Sequence, residues 1–267
     1  MDILHVSAEC FPIAKVGGLA DVVGALPKYQ NKMGVNSCVA IPFYDNAFTA
    51  GNQYEVIFNG HLKMGNLHYD YEILSSDSDL EFSAFFVRIE GLLDRAEVYG
   101  FDDDTERFLA FQIAVLEWMK SSDKKPSIVH IHDYHPGFIP FMMSNVYEYE
   151  SLKEIPTVLT IHNAQYQGQF GYDKLSYFPE FDLDKMGMID YDGAINPLAT
   201  AIKSAWRVTT VSKGYLEELK SNANGLEQLI EDESDKFSGI LNGIDTDVWN
   251  PETDAFLFKN YSIKQPK

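Results

Sequence analysis

The sequence has 267 residues, of which 45% are hydrophobic, and it carries 21 Lys and Arg against 40 Asp and Glu, for a net charge of −19. This hydrophobic share is too high for a disordered chain, and the length suits one large α/β domain or two small ones. So acidic a surface disfavours nucleic acid and anionic membranes. We therefore expect a folded protein without nucleic-acid or membrane partners.

The first residues and the two cysteines bear on the cellular location. No basic segment followed by an apolar stretch opens the sequence, and no apolar run approaches membrane-spanning length. Cys10 and Cys38 have no metal-ligand spacing and predict buried thiols in a reducing compartment. We expect a cytoplasmic protein.

Short apolar segments alternate with amphipathic ones along the chain. The apolar segments predict strands over residues 3–7, 37–42, 82–89, 127–131, 157–161, 207–211 and 237–241. The amphipathic segments predict helices that begin after Gly18 and near residue 137, and helices over 102–120, 197–204 and 213–220. Residues 54–73 alternate around Gly65-Asn66, which predicts a β-hairpin. Residues 163–192 are too long and aromatic for a linker and predict a partly helical or binding loop.

This order of elements predicts an α/β fold. Strands that alternate with helices form a mainly parallel sheet covered on both faces, which is a three-layer αβα arrangement, and the hairpin is an insertion that covers a sheet edge. In such sheets ligands bind beyond the carboxyl ends of the strands. Polar clusters that follow the strands are therefore the candidates for a site.

The first polar cluster is a glycine loop between the first strand and its helix. Gly17 and Gly18 let the backbone approach a ligand closely, and the unpaired N–H groups at the helix start favour an anion. Lys15 adds a positive charge to the loop. The stretch lacks the G-x-G-x-x-G and Walker fingerprints, which argues against a nicotinamide oxidoreductase and leaves an ordinary tight turn as an alternative.

The second cluster is rich in histidine. Four of the seven histidines follow two strands, together with an acid and an amide: His130, His132, Asp133, His135, His162 and Asn163. Positions 130 and 132 share one strand face with no second acid in register, which argues against a metal site. Structural histidines at strand ends remain an alternative to sugar recognition, for which imidazole, carboxylate and amide groups beside aromatic rings are suited.

Several stretches resemble bacterial glycogen synthases and plant starch synthases. They are collinear from residue 1 to about residue 261 and include Lys15-Val16-Gly17-Gly18-Leu19, His130-Ile131-His132-Asp133-Tyr134-His135, Thr160-Ile161-His162-Asn163-Ala164-Gln165-Tyr166-Gln167-Gly168 and Leu241-Asn242-Gly243-Ile244-Asp245. The chain departs from the family pattern at Val16, where Thr is frequent, at Ala20, where Gly is frequent, and at Tyr134, which replaces Trp. The resemblance implies a Rossmann-like domain that forms the N-terminal half of a glycosyltransferase-B fold.

The resemblance also implies an activity. Members of this family are retaining glucosyltransferases that move glucose from ADP-glucose to the non-reducing end of an α-1,4-glucan, with no metal and no cofactor besides the donor. On that model His162, Lys15 and Asp133 are catalytic and act on a developing oxocarbenium ion by electrostatic placement. The residues implied in binding the donor or the glucan are Gly17, Gly18, Asp21, Tyr99, His132, Asn163, Gln167 and Asn242. For Asp21, a helix-start acid favoured by the helix dipole is an equal alternative.

Members of the family are also longer, because a second domain supplies the groups that hold the nucleotide. From the resemblance we expect residues 1–267 to form the N-terminal catalytic domain, with the C-terminal nucleotide-binding domain absent. The synthase then needs a homo-oligomer or a separate C-terminal domain as partner, besides its glucan and sugar nucleotide. The alternative is a stand-alone glucan-binding, sugar-binding or regulatory module without turnover.

Overall fold

Strands and helices alternate along the chain in the computed structural model, which describes residues 2–262 and 264. The strands, β1 to β11 in chain order, are Ile3–Val6, Ser37–Pro42, Tyr54–Met64, Leu67–Ser76, Ser83–Arg88, Ile128–His132, Thr157–Ile161, Asp190–Tyr191, Ala194–Ile195, Arg207–Thr210 and Phe237–Gly239. The α-helices, α1 to α8, are Gly18–Lys32, Ala47–Gly51, Asp104–Ser121, Ile139–Asn145, Met186–Ile189, Pro197–Ser204, Lys213–Leu219 and Glu227–Asp232.

Nine of these strands form one mainly parallel sheet, which confirms the predicted fold class. Its order is β11-β10-β7-β6-β1-β2-β5-β4-β3, and the strands from β11 to β5 are parallel. The predicted hairpin is β3 and β4, which turn at Gly65 with φ 59° and pair antiparallel with each other, and β4 also pairs antiparallel with β5. The hairpin thus extends the sheet by two strands instead of only covering its edge.

The sheet is buried on both faces, as a three-layer arrangement requires. In β2, Cys38 and Ala40 belong to the apolar cluster that includes α3 and α4, whereas Val39 and Ile41 belong to the cluster that includes α1. Successive residues of a strand point to opposite faces, so helices cover the sheet from both sides. Cys10 and Cys38 are buried free thiols, as predicted. Among the described residues, no helix has the length and apolar character needed to cross a membrane.

Some local predictions differ from the structure. The helical spacing of Leu19, Val22, Val23, Leu26 and Met33 predicts one buried face that extends to Met33, but α1 ends at Lys32 and Met33 is 83% exposed. The chain turns away at Gly34, whose φ of 86° favours glycine. Helices α2 and α8, of five and six residues, were not predicted because such short elements show too little periodicity. The segment 163–192 is partly helical, as predicted, with short turns of helix at Tyr172–Tyr177 and Leu183–Lys185.

Candidate active site

A cavity of about 610 Å³ lies at the carboxyl edge of the sheet, where the ligand rule places a site. The segments that follow β1, β6, β7 and β10 form most of its wall. The lining residues are Glu9, Val16, Gly17, Gly18, Leu19, Tyr99, Asp133, Tyr134, His135, His162, Asn163, Tyr166, Val211 and Asn242. The two polar clusters of the sequence therefore meet in one place.

Glu9 holds the glycine loop in position. Its side chain is buried, and Oε2 accepts hydrogen bonds from the main-chain N–H groups of Val16 at 2.6 Å and Gly17 at 2.8 Å. Its Oε1 accepts a hydrogen bond from the Tyr99 hydroxyl at 2.8 Å. The loop binds an anion, as its N–H groups favour, but this anion is the protein's own carboxylate. Helix α1 then begins at Gly18 without a side-chain cap, so the N–H groups of its first turn can serve a ligand.

Asp133 ties the ends of β6 and β7 together. Its Oδ1 accepts hydrogen bonds from the main-chain N–H groups of His162 at 2.7 Å and Asn163 at 3.3 Å, and its own N–H donates to the Thr160 carbonyl at 3.0 Å. Its φ of 57° lies in the left-handed region, which aspartate tolerates better than most residues. Burial raises the pKa of Asp133 to about 7, against the lowering effect of the two N–H donors.

Four imidazoles lie side by side between this edge and α1. His5 and His130 are opposite each other in the paired strands β1 and β6, and the rings of His130 and His132 stack at 4.4 Å between centroids. Burial lowers the pKa of His5 and His162 to about 4, and those of His130 and His132 well below the ordinary value, so all four are neutral near pH 7. Nitrogens of His5, His130 and His132 lie within 4.8 Å of one another. The three rings also form hydrogen bonds with neighbouring side chains, such as the one between His130 Nε2 and the Thr160 hydroxyl at 2.7 Å.

Aromatic rings form the wall around His135. Its ring stacks on Tyr134 at 3.9 Å and Tyr99 at 5.4 Å between centroids and meets the edge of Phe108 at 4.7 Å. Neither ring nitrogen has a hydrogen-bond partner among the described residues. Burial, with a smaller contribution from the Arg107 charge, lowers the pKa of His135 to about 3. Neutral rings of this kind present flat apolar surface to the cavity.

Most of the predicted site residues line the cavity. These are Gly17, Gly18, Tyr99, Asp133, His162, Asn163 and Asn242. Lys15 and Asp21 do not line it and form a half-exposed ion pair at 2.6 Å. His132 is buried behind His162, with 3.1 Å between their nitrogens, and Gln167 is buried and donates to a main-chain carbonyl. The groups of His132 and Gln167 are thus engaged with protein atoms, and any role in ligand binding is indirect.

The cavity carries little positive charge. Its lining contains two carboxyl groups, Glu9 and Asp133, and no Lys or Arg. Its imidazoles, those of His135 and His162, are neutral near pH 7 because burial lowers their pKa. Donors and acceptors beside aromatic faces, without a cation, suit uncharged hydroxyl-rich rings better than a phosphate.

Three residues of this region were not predicted from the sequence: Glu9, His5 and Gln30. Glu9 lies three residues after the end of β1, so the strand-end rule applied to the first strand would have indicated it. His5 lies within a central strand and Gln30 near the end of α1, and nothing in their local sequence marks them. Only the strand register and the packing of α1 place His5 in contact with His132 and Gln30 in contact with His5.

The family model described as "Starch synthase catalytic domain" matches residues 2–232. The chain belongs to this family. A search of solved structures finds similarity, with a TM-score of 0.88 and 31% identity, to the catalytic domain of starch synthase IV from Arabidopsis thaliana bound to ADP and acarbose. That match covers 99% of this chain and 56% of the other.

Curated relatives carry the name glycogen synthase. The chain is 50% identical over 265 residues to the one from Flavobacterium johnsoniae and 39% identical over 268 residues to one from Streptococcus agalactiae. It spans 56% of the length of each of these relatives. The resemblance to glycogen and starch synthases is confirmed, and the fold is that of the starch synthase catalytic domain.

Proposed function

We propose that this chain acts in glycogen or starch synthesis by transferring glucose from ADP-glucose to the non-reducing end of an α-1,4-glucan. The observation that carries the proposal is the cavity itself, which collects seven predicted site residues and offers hydroxyl-binding groups beside aromatic rings with no cation. Membership of the starch synthase family supports the reaction class. Two buried free thiols favour the cytoplasm as its location.

The roles of the central residues follow from their environments. His162 presents a neutral imidazole to the cavity, so it can accept or donate a hydrogen bond at a glucosyl hydroxyl without adding positive charge beside a developing oxocarbenium ion. Asp133 binds the main-chain N–H of His162 and thereby orients this segment. Glu9 orders the glycine loop, whose Gly17 and Gly18 leave room for a sugar to approach the backbone. No step requires a metal or a further cofactor.

The nucleotide needs groups that the cavity does not contain. A diphosphate is stabilised by cations, and the glycine loop carries one cation, Lys15, which is paired with Asp21. A structure similar to this chain is described as bound to ADP and acarbose, and the chain spans 56% of its length. We propose that residues outside the 267 described by this sequence, in a further domain or in another chain, complete the nucleotide site. Lys15 would exchange Asp21 for the donor phosphate when the site is complete.

Transfer of labelled glucose from ADP-glucose to maltoheptaose tests the proposal, together with calorimetric binding of maltoheptaose alone. The variants are His162→Ala and, as a matched control, His61→Ala on the exposed part of the hairpin. Binding that weakens in His162→Ala and not in His61→Ala supports the acceptor site. Transfer that depends on His162, by the chain alone or after addition of the C-terminal half of a longer relative, supports the reaction.

The same experiment separates the alternative. A chain that binds maltoheptaose but gives no transfer with any added C-terminal half is a glucan-binding module without turnover. A chain that binds neither maltoheptaose nor ADP-glucose in either setting contradicts the proposal.

A further inference from the structure

A chain of hydrogen bonds crosses the protein from α1 to the cavity. The Gln30 amide oxygen lies 2.8 Å from His5 Nε2, and His5 Nδ1 lies 3.0 Å from His132 Nε2. His132 Nδ1 then lies 3.1 Å from Nε2 of His162, which lines the cavity. His5 and His132 are fully buried, and these two side chains connect Gln30 on α1 with His162, which is remote from it in sequence.

Because the imidazoles are neutral, all the hydrogen bonds in this series run in one direction. Each neutral ring has one N–H donor and one lone pair, so a donor at one link makes an acceptor at the next. Burial lowers the pKa of all three rings, and near pH 7 each carries one proton. The group at the α1 end therefore decides which nitrogen of His162 carries its proton.

The Gln30 oxygen accepts, which sets the direction. His5 then donates from Nε2 to Gln30, His132 donates from Nε2 to His5, and His162 donates from Nε2 to His132. The His162 ring meets His132 through Nε2, so its other nitrogen, Nδ1, is left with a lone pair.

We propose that Gln30, His5 and His132 are positioning residues that hold His162 in its Nε2–H tautomer, so that Nδ1 accepts a hydrogen bond from a sugar hydroxyl in the cavity. The contact with a sugar rests on the proposed function, whereas the tautomer does not. His132 thereby acts on the ligand through His162 instead of touching it.

Nitrogen-15 NMR of the histidine rings tests the tautomer directly, because protonated and unprotonated ring nitrogens have well-separated shifts. In the wild-type chain near pH 8 we expect His162 to be protonated at Nε2 and not at Nδ1. Protonation at Nδ1 overturns the proposal whether or not the chain binds a sugar or transfers glucose. This measurement needs no variant and no activity, so its failure is distinguishable from failure of the proposed function.

Two variants test the role of Gln30. Gln30→Met keeps the length and helix propensity of the side chain but accepts no hydrogen bond, so we expect a mixture of His162 tautomers. Gln30→Glu keeps an acceptor and is expected to restore the wild-type spectrum. Gln228→Met is the matched control, since Gln228 is exposed on α8 and bonds only to Asp232 among the described residues. A spectrum of His162 that is unchanged in Gln30→Met contradicts the role of Gln30.

Maltoheptaose binding gives the functional readout. We expect Gln30→Met to bind about fivefold to tenfold more weakly than wild type, which is the range for one hydrogen bond, and Gln30→Glu to recover the affinity. A residue that only supported the fold would not show this recovery together with the change in tautomer. The proposal is overturned if maltoheptaose binding weakens equally in Gln30→Met and Gln30→Glu and the tautomer of His162 is the wild-type one in both variants.

Discussion

Replacement of His135 by Phe should make the protein more resistant to acid. His135 is 5% exposed, its ring is enclosed by Tyr134, Tyr99 and Phe108, and both ring nitrogens lack partners among the described residues. Protonation of this ring would place an unpaired charge in a buried aromatic environment. The folded chain therefore resists a proton that the unfolded chain accepts.

The size of the effect follows from the shift in pKa. Burial lowers the pKa of His135 to about 3 from 6.5, so the unfolded chain binds the proton first as the pH falls below about 6.5. Between about pH 7 and pH 5 this one group lowers the free energy of unfolding by about 2 kcal/mol. Burial raises the pKa of Asp133 to about 7, so this group adds stability to the folded chain as the pH falls. Asp133 is present in wild type and in His135→Phe, so its contribution cancels in the comparison.

Urea unfolding at both pH values measures the difference. Between about pH 7 and pH 5, the free energy of unfolding of wild type should fall by about 2 kcal/mol more than that of His135→Phe. This expectation holds whatever the difference in stability between the two proteins at pH 7. The same substitution at His68, which is exposed on β4, is the control and should lose as much as wild type. An equal acid-dependent loss in wild type and His135→Phe would refute the assignment of His135 as a buried neutral ring.

Two further predictions concern stability measured by urea unfolding near pH 7. Gly24→Ala should lower the free energy of unfolding by about 2 to 4 kcal/mol, because the new Cβ would overlap the main-chain oxygen of Phe11. In the control Gly18→Ala the new Cβ meets no atom within 4 Å, so the free energy of unfolding should change by less than about 1 kcal/mol. Arg107→Met should lower the free energy of unfolding by about 3 kcal/mol, because the fully buried guanidinium donates to main-chain carbonyls at 3.0 and 3.1 Å. The control Arg88→Met removes a partly exposed ion pair and should lower it by less than about 1 kcal/mol. Similar costs within either pair would contradict the reasoning.

Much of the fold follows from local patterns. The strand Thr157–Ile161 and the helix Pro197–Ser204 have the predicted bounds, and the helix begins with proline after Asn196, whose side chain accepts from the N–H of Ala199. Gly65 adopts the positive φ that the predicted hairpin turn needs. Such features depend on neighbours within a few residues, and the sequence alone is sufficient for them.

The face of α1 shows where local pattern fails. Leu19 and Val23 are buried as their spacing predicts, whereas Val22 and Leu26 of the same predicted face are only half-buried. Lys28 is also buried, and its amine forms ion pairs with Glu81 and, near the other end of the chain, with Asp245 and Asp247. An apolar pattern does not predict a buried lysine, since the partners that make its burial favourable are distant in sequence.

The sequence by itself determined the alternation of strands and helices, the edge of the sheet at which polar residues collect, and the resemblance to the synthase family. These depend on residue periodicity, on the direction of parallel strands and on short motifs. Tertiary structure decided the hydrogen-bond partners within the site. Glu9 meets Tyr99 and His5 meets His132 across 90 and 127 positions of chain. Such contacts require the strand register and the packed helix α1, because a shift of one residue turns each strand side chain to the opposite face.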